Sequence, residues 1–412
     1  MKIRQSKSLI LIAFFCVNWI WSQTNNIPPN IEAEGDQIYC PLSQINVVTN
    51  FDIIDPDDTE IDAVHIQIST GYVRNQEQLI LTGIHPNIDA TWDNTQGKLS
   101  LEGFGGSPIT YVDVIAAVND VVFESTSVNV SGEKHFSFTI GDANYLPSTT
   151  HYYEYVPNIG ITWSQARIAA AARTYFGLEG YLATITSAEE AQLSGEQAAG
   201  AGWIGGSDEQ TEGIWRWMTG PEAGSIFWNG GINGSTPGGA FEFWNTGEPN
   251  NSGDEDYAHI TAIGIGVNGS WNDLSNTGNT SGPYQPKGYI VEYGGMPDDP
   301  IIDISASTKI SIATIISTVG AQTCGQGALT IDAVPSSGTV VWFDSLTGGT
   351  ELDTGLTFIT PVINTTTTYY ALASVGGCLE GVRVPVVVTI KPIPTIETVT
   401  DDLVCESGSG TL

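Results

Sequence analysis

The chain has 412 residues, with 46 acidic and 13 basic side chains and a formal net charge of −33. This length predicts about three domains. The charge excludes nucleic acids and anionic membrane surfaces as partners, because both are bound by clustered Lys and Arg, whereas it suits hard cations such as Ca²⁺. Abundant glycine, 47 residues, and a 41% apolar content indicate packed β-structure with many turns and exclude a fully disordered chain.

The N-terminal segment has the pattern of a secretory signal. A basic start precedes an apolar run from Leu9 to Val17, and Ser22 is a small residue at a candidate cleavage point. We therefore predict a signal peptide over residues 1–22; a membrane anchor is the alternative, although the run is short for a bilayer. No second long apolar run follows, so we expect a secreted or cell-surface protein with no direct membrane insertion.

Residues 27–147 alternate short β-branched or aromatic runs with turns. The period-two runs predict half-buried strands, and the predicted all-β sandwich resembles cadherin-like and Ig-like repeats of surface proteins. The acidic turn Asp55, Asp57 and Asp58 leaves a Ca²⁺ site open, although we favour an ordinary solvated turn. The strand runs are Val64–Ile68, Lys98–Leu101 and His135–Thr139.

Residues 148–295 carry the helices that we expect. The segment from Thr162 to Gln165 has the form of a capping box, which predicts a helix from Trp163 to Phe176. Ser187 to Glu190 repeats the pattern and opens a second helix that Gly200 could end. Glycine-rich loops then lead to a strand at Gly288–Tyr293, so this region is predicted to be an α+β domain.

Residues 296–310 are rich in Pro, Asp and Gly and predict a linker, followed by an Ig-like domain over 311–392. The segment Thr314–Cys324 recurs 81 residues later as Thr395–Cys405. We interpret 393–412 as the start of a truncated second Ig-like repeat and the chain as part of a longer surface protein, with chance similarity as the alternative.

Four cysteines follow the predicted signal peptide: Cys40, Cys324, Cys378 and Cys405. Export permits disulfides, whereas metal-binding CxxC spacing is absent. We expect Cys324 and Cys378 to form the disulfide of the Ig-like domain, and we assign no partner to Cys40.

The sequence does not predict an enzyme. The five histidines are scattered, and neither an HExxH nor a GxSxG motif occurs. A catalytic domain beyond Leu412 is left open.

Carboxylates and amides are concentrated near the end of the α+β region. Ca²⁺ takes six to eight oxygen ligands from carboxylates and amide carbonyls, and a mixture of these groups occurs here. A hydrophilic loop without a ligand is the alternative. The candidate ligands are Glu248, Asn250, Glu255, Asn272 and Asp273.

Together with motifs distributed over 148–295, these residues resemble the C-type lectin domain. The stretch Trp217–Gly224 is similar to the bacterial branch of that family. The other supporting segments are Leu182–Glu190, Trp203–Gly206, Asp208–Gly213, Trp215–Met218, Phe243–Asn251 and Trp271–Asp273. The resemblance implies that Trp203, Trp217 and Trp244 are packing residues of the domain rather than residues that stack on a sugar.

The resemblance also implies a site. The five candidate ligands would hold Ca²⁺ and two sugar hydroxyls, with a cis Glu248–Pro249 peptide. Glu at 248 and Asn at 250, rather than Gln and Asp, is the order associated with mannose-type sugars. A second, structural Ca²⁺ is implied at Asp208, Glu212, Asn251 and Asp256, with Glu255 shared.

One departure from the family concerns its usual disulfides. Region 148–295 contains no cysteine, and Tyr257 and Val291 stand at two of the expected places. A domain of this size can supply its own apolar core.

The sequence thus predicts a bacterial surface adhesin in which an α+β C-type lectin-like domain, flanked by all-β sandwiches, binds mannose-type glycans through Ca²⁺. The alternative is a structural or protein-binding adhesin that uses Ca²⁺ only to order its loops. Only the first hypothesis predicts competition by free mannose.

Overall fold

A computed structural model describes residues 26–395, so the predicted signal peptide and Cys405 lie outside the described residues. Within this range the chain is mostly β-structure with short helices. No helix between residues 26 and 395 is long and apolar enough to cross a membrane.

The N-terminal part of the chain forms short strands, and the predicted strand runs at 64–68, 98–101 and 135–139 are confirmed. Residues 104–106 form a 3-10 turn. The strands are β1 (Asn30–Glu34), β2 (Gln37–Tyr39), β3 (Gln44–Asn46), β4 (Asn50–Ile54), β5 (Glu60–Ile61), β6 (Ala63–Thr70), β7 (Glu77–Leu81), β8 (Ile88–Asp93), β9 (Lys98–Gly103), β10 (Ile109–Thr110), β11 (Val121–Ser125) and β12 (Glu133–Thr139).

A helix, α1 (Tyr111–Asn119), lies between β10 and β11, where we expected only strands. The Thr110 hydroxyl accepts a hydrogen bond from the Asp113 N–H at 3.2 Å, which caps the first turn. Val114 and Val118 are buried against the sheets. The signal was present in the sequence as a capping residue before an apolar stretch, but the surrounding β-pattern obscured it.

The C-terminal part of the chain is also built of strands. They are β23 (Ser305–Ile312), β24 (Ile315–Val319), β25 (Ala321–Cys324), β26 (Thr330–Pro335), β27 (Thr339–Phe343), β28 (Glu351–Thr354), β29 (Thr357–Ile359), β30 (Thr367–Ser374) and β31 (Val384–Lys391). Strands β24 to β31, which we call the second sandwich, form a three-stranded and a five-stranded sheet. Trp342 is fully buried in the core between them.

Strand β23 does not belong to that second sandwich. It pairs with β12 along seven residue pairs, from Glu133↔Ser311 to Thr139↔Ser305, in a sheet of order β2-β23-β12-β6-β9-β8. The last residues of the predicted linker 296–310 therefore belong to a strand of the N-terminal sheet. We call β1 to β12 together with β23 the first sandwich. The α+β region is inserted between two neighbouring strands of this sandwich, a pairing too distant in sequence for local patterns to predict.

The first sandwich contains a buried ion pair. The Lys134 Nζ lies 2.7 Å from Glu77 Oε1, and both side chains are only 2% exposed. Glu77 also accepts a hydrogen bond from the Val73 N–H at 2.9 Å. Because neither charge reaches water, each depends on the other for its stabilisation.

We expect Glu77→Gln to lower the free energy of unfolding by about 3 kcal/mol, because it leaves the Lys134 charge buried without a counter-ion. Denaturant unfolding of the whole chain measures this loss. The matched control is Glu133→Gln, which breaks an exposed ion pair with Lys309 and should lower the free energy of unfolding far less, because solvent screens exposed pairs. Equal losses in the two variants would show that burial does not govern the contribution of the pair.

The inserted α+β region comprises residues 144–293, with two apolar cores on its sheet. Its helices are α2 (Trp163–Ala171) and α3 (Ala188–Ala191), and a π turn follows at Gln192–Glu196. Its strands are β13 (Asn144–Leu146), β14 (His151–Pro157), β15 (Thr174–Tyr175), β16 (Leu178–Leu182), β17 (Trp203–Ser207), β18 (Ile214–Trp217), β19 (Ile226–Asn229), β20 (Tyr257–Ile260), β21 (Trp271–Leu274) and β22 (Gly288–Tyr293).

The predicted capping box at Thr162 and Gln165 is confirmed. The helix is shorter than predicted, because residues 174–175 form a strand that pairs with β16. The residues between these two strands, Phe176 and Gly177, have positive φ angles of 49° and 91°. A tight turn therefore replaces the last predicted turn of the helix.

The second predicted helix is α-helical only to Ala191 and continues as the π turn to Glu196, and side chains of this part contact the first sandwich. The Gln192 side chain accepts from the Gly71 N–H at 2.9 Å and donates to the Tyr72 carbonyl at 2.8 Å. Gln197, fully buried, donates to the Ile68 carbonyl at 2.9 Å. These contacts seat the α+β region on the sandwich that carries it.

The expected Cys324–Cys378 disulfide is wrong. Cys378 bonds to Cys40 of the first sandwich, with Cα atoms 5.7 Å apart. Cys324 lies opposite Lys391 at the end of β31, whereas Cys378 precedes the start of that strand at Val384. An eight-residue strand separates the two by about 23 Å, far beyond the span of a disulfide.

Candidate functional site

The site lies where a loop, residues 248–256, meets strand β21. The Glu248–Pro249 peptide is cis, as the resemblance implies. Asp273 is fully buried on β21, and its carboxylate accepts hydrogen bonds from the N–H groups of Asn250 at 3.1 Å and Asn251 at 2.7 Å. Asp273 thereby fixes the loop backbone to the strand.

The other four candidate ligands line one open cleft of about 290 Å³, namely Glu248, Asn250, Glu255 and Asn272. Within it the Asn250 amide donates to a carboxylate oxygen of Glu248. The Ser252 N–H donates to Glu255 Oε2 at 3.1 Å. Residues from two separate parts of the sequence are therefore brought to one cleft.

The charges in the cleft are crowded. Burial, and then the neighbouring Asp273, raise the pKa of Glu248 to about 8. Burial and the charge of Asp273 likewise raise the pKa of Glu255 to about 7. Carboxylates that repel one another in this way are stabilised by a cation, so the donor set fits Ca²⁺.

A second group, the neighbouring acidic cluster, consists of Asp208, Glu212, Asp254 and Asp256. Carboxylate oxygens of the last three lie within 4.8 Å of one another. The Asn251 amide donates to Glu212 Oε1 at 2.7 Å and so reaches the same cluster. The sequence singled out all of these residues except Asp254, which lies within the acidic run 251–256.

Asp208 contributes a buried carboxylate oxygen to this cluster as a possible metal ligand. Its Oδ2 accepts from the Gly213 N–H at 2.8 Å, whereas its buried Oδ1 has no hydrogen-bond partner among residues 26–395. Burial, with smaller contributions from Glu212, Asp256 and Asp273, raises the pKa of Asp208 to about 7. An orphaned buried oxygen beside three carboxylates fits a cation.

The cleft also contains side chains that the sequence did not indicate. Ser252, Asn279 and Tyr284 line it beside the candidate ligands. Asn279 and Tyr284 come from the loop between β21 and β22, which has no periodic pattern, so only the folded chain reveals their position.

Tyr257 and Val291, which the resemblance places at two cysteine positions, both make apolar contacts in the α+β region. Val291 is fully buried in the core, and the ring of Tyr257 lies 4.7 Å from that of Trp163. Trp203 and Trp217 are buried, as expected, and the ring of Trp244 packs 4.7 Å from that of Trp215. These tryptophans support the fold beneath the loops.

In the acidic turn of the first sandwich, carboxylate oxygens of Asp55, Asp57 and Asp58 also lie within 4.8 Å of one another. The Asp57 and Asp58 N–H groups each donate to Asp55 Oδ1 at 3.0 Å, and the Tyr111 hydroxyl donates to Asp55 Oδ2 at 2.5 Å. The Asp55 carboxylate is thus engaged by its own turn, and the solvated turn and the Ca²⁺ site both stay predictions.

Comparisons with known proteins relate the parts of the chain to two families. Residues 312–392 match the family described as "Ig-like domain CHU_C associated". Halomucin of Haloquadratum walsbyi is 36% identical over 272 residues, which cover 64% of this chain and 3% of halomucin. C-type lectin domain family 4 member M of Hylobates lar is 38% identical over 95 residues, 22% of this chain and 19% of that protein.

A solved structure, the mouse scavenger receptor C-type lectin carbohydrate-recognition domain, is 20% identical. It covers 38% of this chain and 97% of its own, with a TM-score of 0.25. The chain spans only a small part, 3% and 19%, of the two curated relatives. The protein is therefore a multidomain, mostly β chain. It is similar to C-type lectins over part of its length and contains an Ig-like domain.

Proposed function

We propose that the chain is a secreted or cell-surface bacterial adhesin whose α+β region binds mannose-type sugars in a Ca²⁺-dependent manner. The observation that carries this proposal is the convergence of Glu248, Asn250, Glu255 and Asn272 on one cleft, with Asp273 directly beneath the loop. The similarity to C-type lectins supports carbohydrate as the ligand class.

In the proposed site, Glu248, Asn250, Glu255, Asn272 and Asp273 hold one Ca²⁺. When bound, the ion supplies coordination positions for two neighbouring sugar hydroxyls. The neighbouring acidic cluster, with Asn251, holds a second cation that orders the loop from its other side. The orphaned Asp208 Oδ1 and the grouped oxygens of Glu212, Asp254 and Asp256 support this second site.

The side chains of the cleft also recognise the sugar. Each hydroxyl can donate a hydrogen bond to a carboxylate oxygen of Glu248 or Glu255 and accept one from an amide N–H of Asn250 or Asn272. The alternation of acceptor and donor fits a pair of hydroxyls in a fixed relative orientation. The Glu248-then-Asn250 order favours mannose-type sugars, as the family resemblance implies.

Export and a spacer role for the two sandwiches are part of the proposal. The Cys40–Cys378 disulfide supports an oxidising compartment, where such bonds persist. A shallow, open cleft of this kind binds weakly, so adhesion would depend on many copies engaging one glycan surface.

The experiment is isothermal titration of the whole chain, first with Ca²⁺ and then with methyl mannoside, with a chelator-treated sample as the control. We expect mannoside to bind only after Ca²⁺. Binding of Ca²⁺ without mannoside would support the alternative adhesin, in which the metal only orders the loops. The absence of Ca²⁺ binding would contradict both.

A further inference from the structure

The Cys40–Cys378 bond crosses a domain boundary. Cys40 directly follows β2, whose last residue, Tyr39, lies opposite Ile312 at the end of β23. Only two residues separate the end of β23 from β24, the first strand of the second sandwich. Cys40 thus lies at the end of the first sandwich from which the chain continues into the second sandwich. We call this end the exit edge.

Cys378 lies at the end of the second sandwich that faces the first sandwich. We call this end the entry edge. It belongs to the loop between β30 and β31, and its N–H donates to the Val375 carbonyl at 3.1 Å. Tyr39 and Ile312 from one sandwich and Val375 from the other surround the two cysteines. The disulfide therefore joins an exit edge to the following entry edge.

Cys324 repeats the arrangement of Cys40 one domain later. It ends the short strand β25, which runs parallel to β31, just as β2 runs parallel to β23. Cys324 lies opposite Lys391, the last residue of β31. It is exposed and has no disulfide partner among residues 26–395.

We propose that Cys324 forms a disulfide with a following Ig-like domain, at a cysteine in the place that Cys378 occupies in this one. Consecutive domains are then joined in series, each exit-edge cysteine bonded to the next entry edge. The recurrence of Thr314–Cys324 as Thr395–Cys405 supports a following copy. In that recurrence Cys405 takes the sequence position of Cys324 and not that of Cys378.

Forming the bond joins two sulfur atoms and releases two protons and two electrons. A protein disulfide oxidant of the export compartment accepts them and becomes a dithiol. Two adjacent domains that are joined in this way cannot swing freely about their short connection, so a series of such bonds produces a stiff stalk. This inference does not depend on sugar binding.

The test is peptide mapping of the unreduced protein isolated from its own cells, with free thiols alkylated during isolation. We expect the Cys324 peptide to be bonded to a cysteine just before the last strand of another Ig-like domain in the same chain. Alkylated Cys324, or a bond to Cys405 or to a second copy of the chain, would overturn the proposal.

A Cys324→Ser variant supplies the control, because this exposed position tolerates serine. We expect the variant to expose one new alkylated cysteine, in the following domain, while the Cys40–Cys378 bond remains intact. If no new cysteine is alkylated in the variant, Cys324 has no such partner and the proposal is wrong.

Discussion

Replacing Asp273 by alanine is expected to lower the affinity for Ca²⁺ by at least about 100-fold, because metal sites depend strongly on both their ligands and the groups that orient them. Asp273 would act in both ways. It is one of the five proposed ligands, and its carboxylate also holds the N–H groups of Asn250 and Asn251. Its loss leaves the loop that carries Glu248 without its attachment to β21.

Isothermal titration with Ca²⁺ measures this effect, and circular dichroism confirms that the variant is folded. The matched control is Asp353→Ala, which removes an exposed carboxylate from strand β28 of the second sandwich. We expect the control to bind Ca²⁺ like the parent chain. Unchanged Ca²⁺ affinity in Asp273→Ala would remove this residue from the proposed site.

Exchanging the two side chains that flank the cis proline is expected to change sugar preference. In the double variant Glu248→Gln and Asn250→Asp, the carboxylate and the amide trade places while the total charge is unchanged. A hydroxyl pair of mannose type then meets mismatched donors and acceptors, and each unmatched group costs about 1–3 kcal/mol. The preference for mannoside over galactoside should fall by about tenfold or more.

Competition titrations with methyl mannoside and methyl galactoside, at one saturating Ca²⁺ concentration, measure this ratio. The two single variants are the controls, since each breaks the pairing without restoring it and should weaken both sugars. A double variant that keeps the original preference would show that Glu248 and Asn250 do not select the sugar.

The sequence predicts those parts of the fold that local patterns determine. Period-two apolar runs locate β6, β9 and β12, and the capping box locates the start of α2. The candidate ligands are predicted to cluster because the family motifs place them on one loop and one strand. Packing of Trp203 and Trp217 follows from the same motifs.

What the sequence does not predict depends on contacts between distant residues. Strand β23 pairs with β12, more than 160 positions away, and Cys40 bonds across 338 residues. Gln192, directly after α3, accepts a hydrogen bond from Gly71 of the first sandwich. Asn279 and Tyr284 reach the cleft through an irregular loop. None of these has a local signature.

A crystal structure of the chain with Ca²⁺ and methyl mannoside is the most direct test of the proposed function. We predict one ion among Glu248, Asn250, Glu255, Asn272 and Asp273, with two adjacent sugar hydroxyls bound to that ion. An ion bound only at the neighbouring acidic cluster, or a sugar bound away from the cleft, would contradict it.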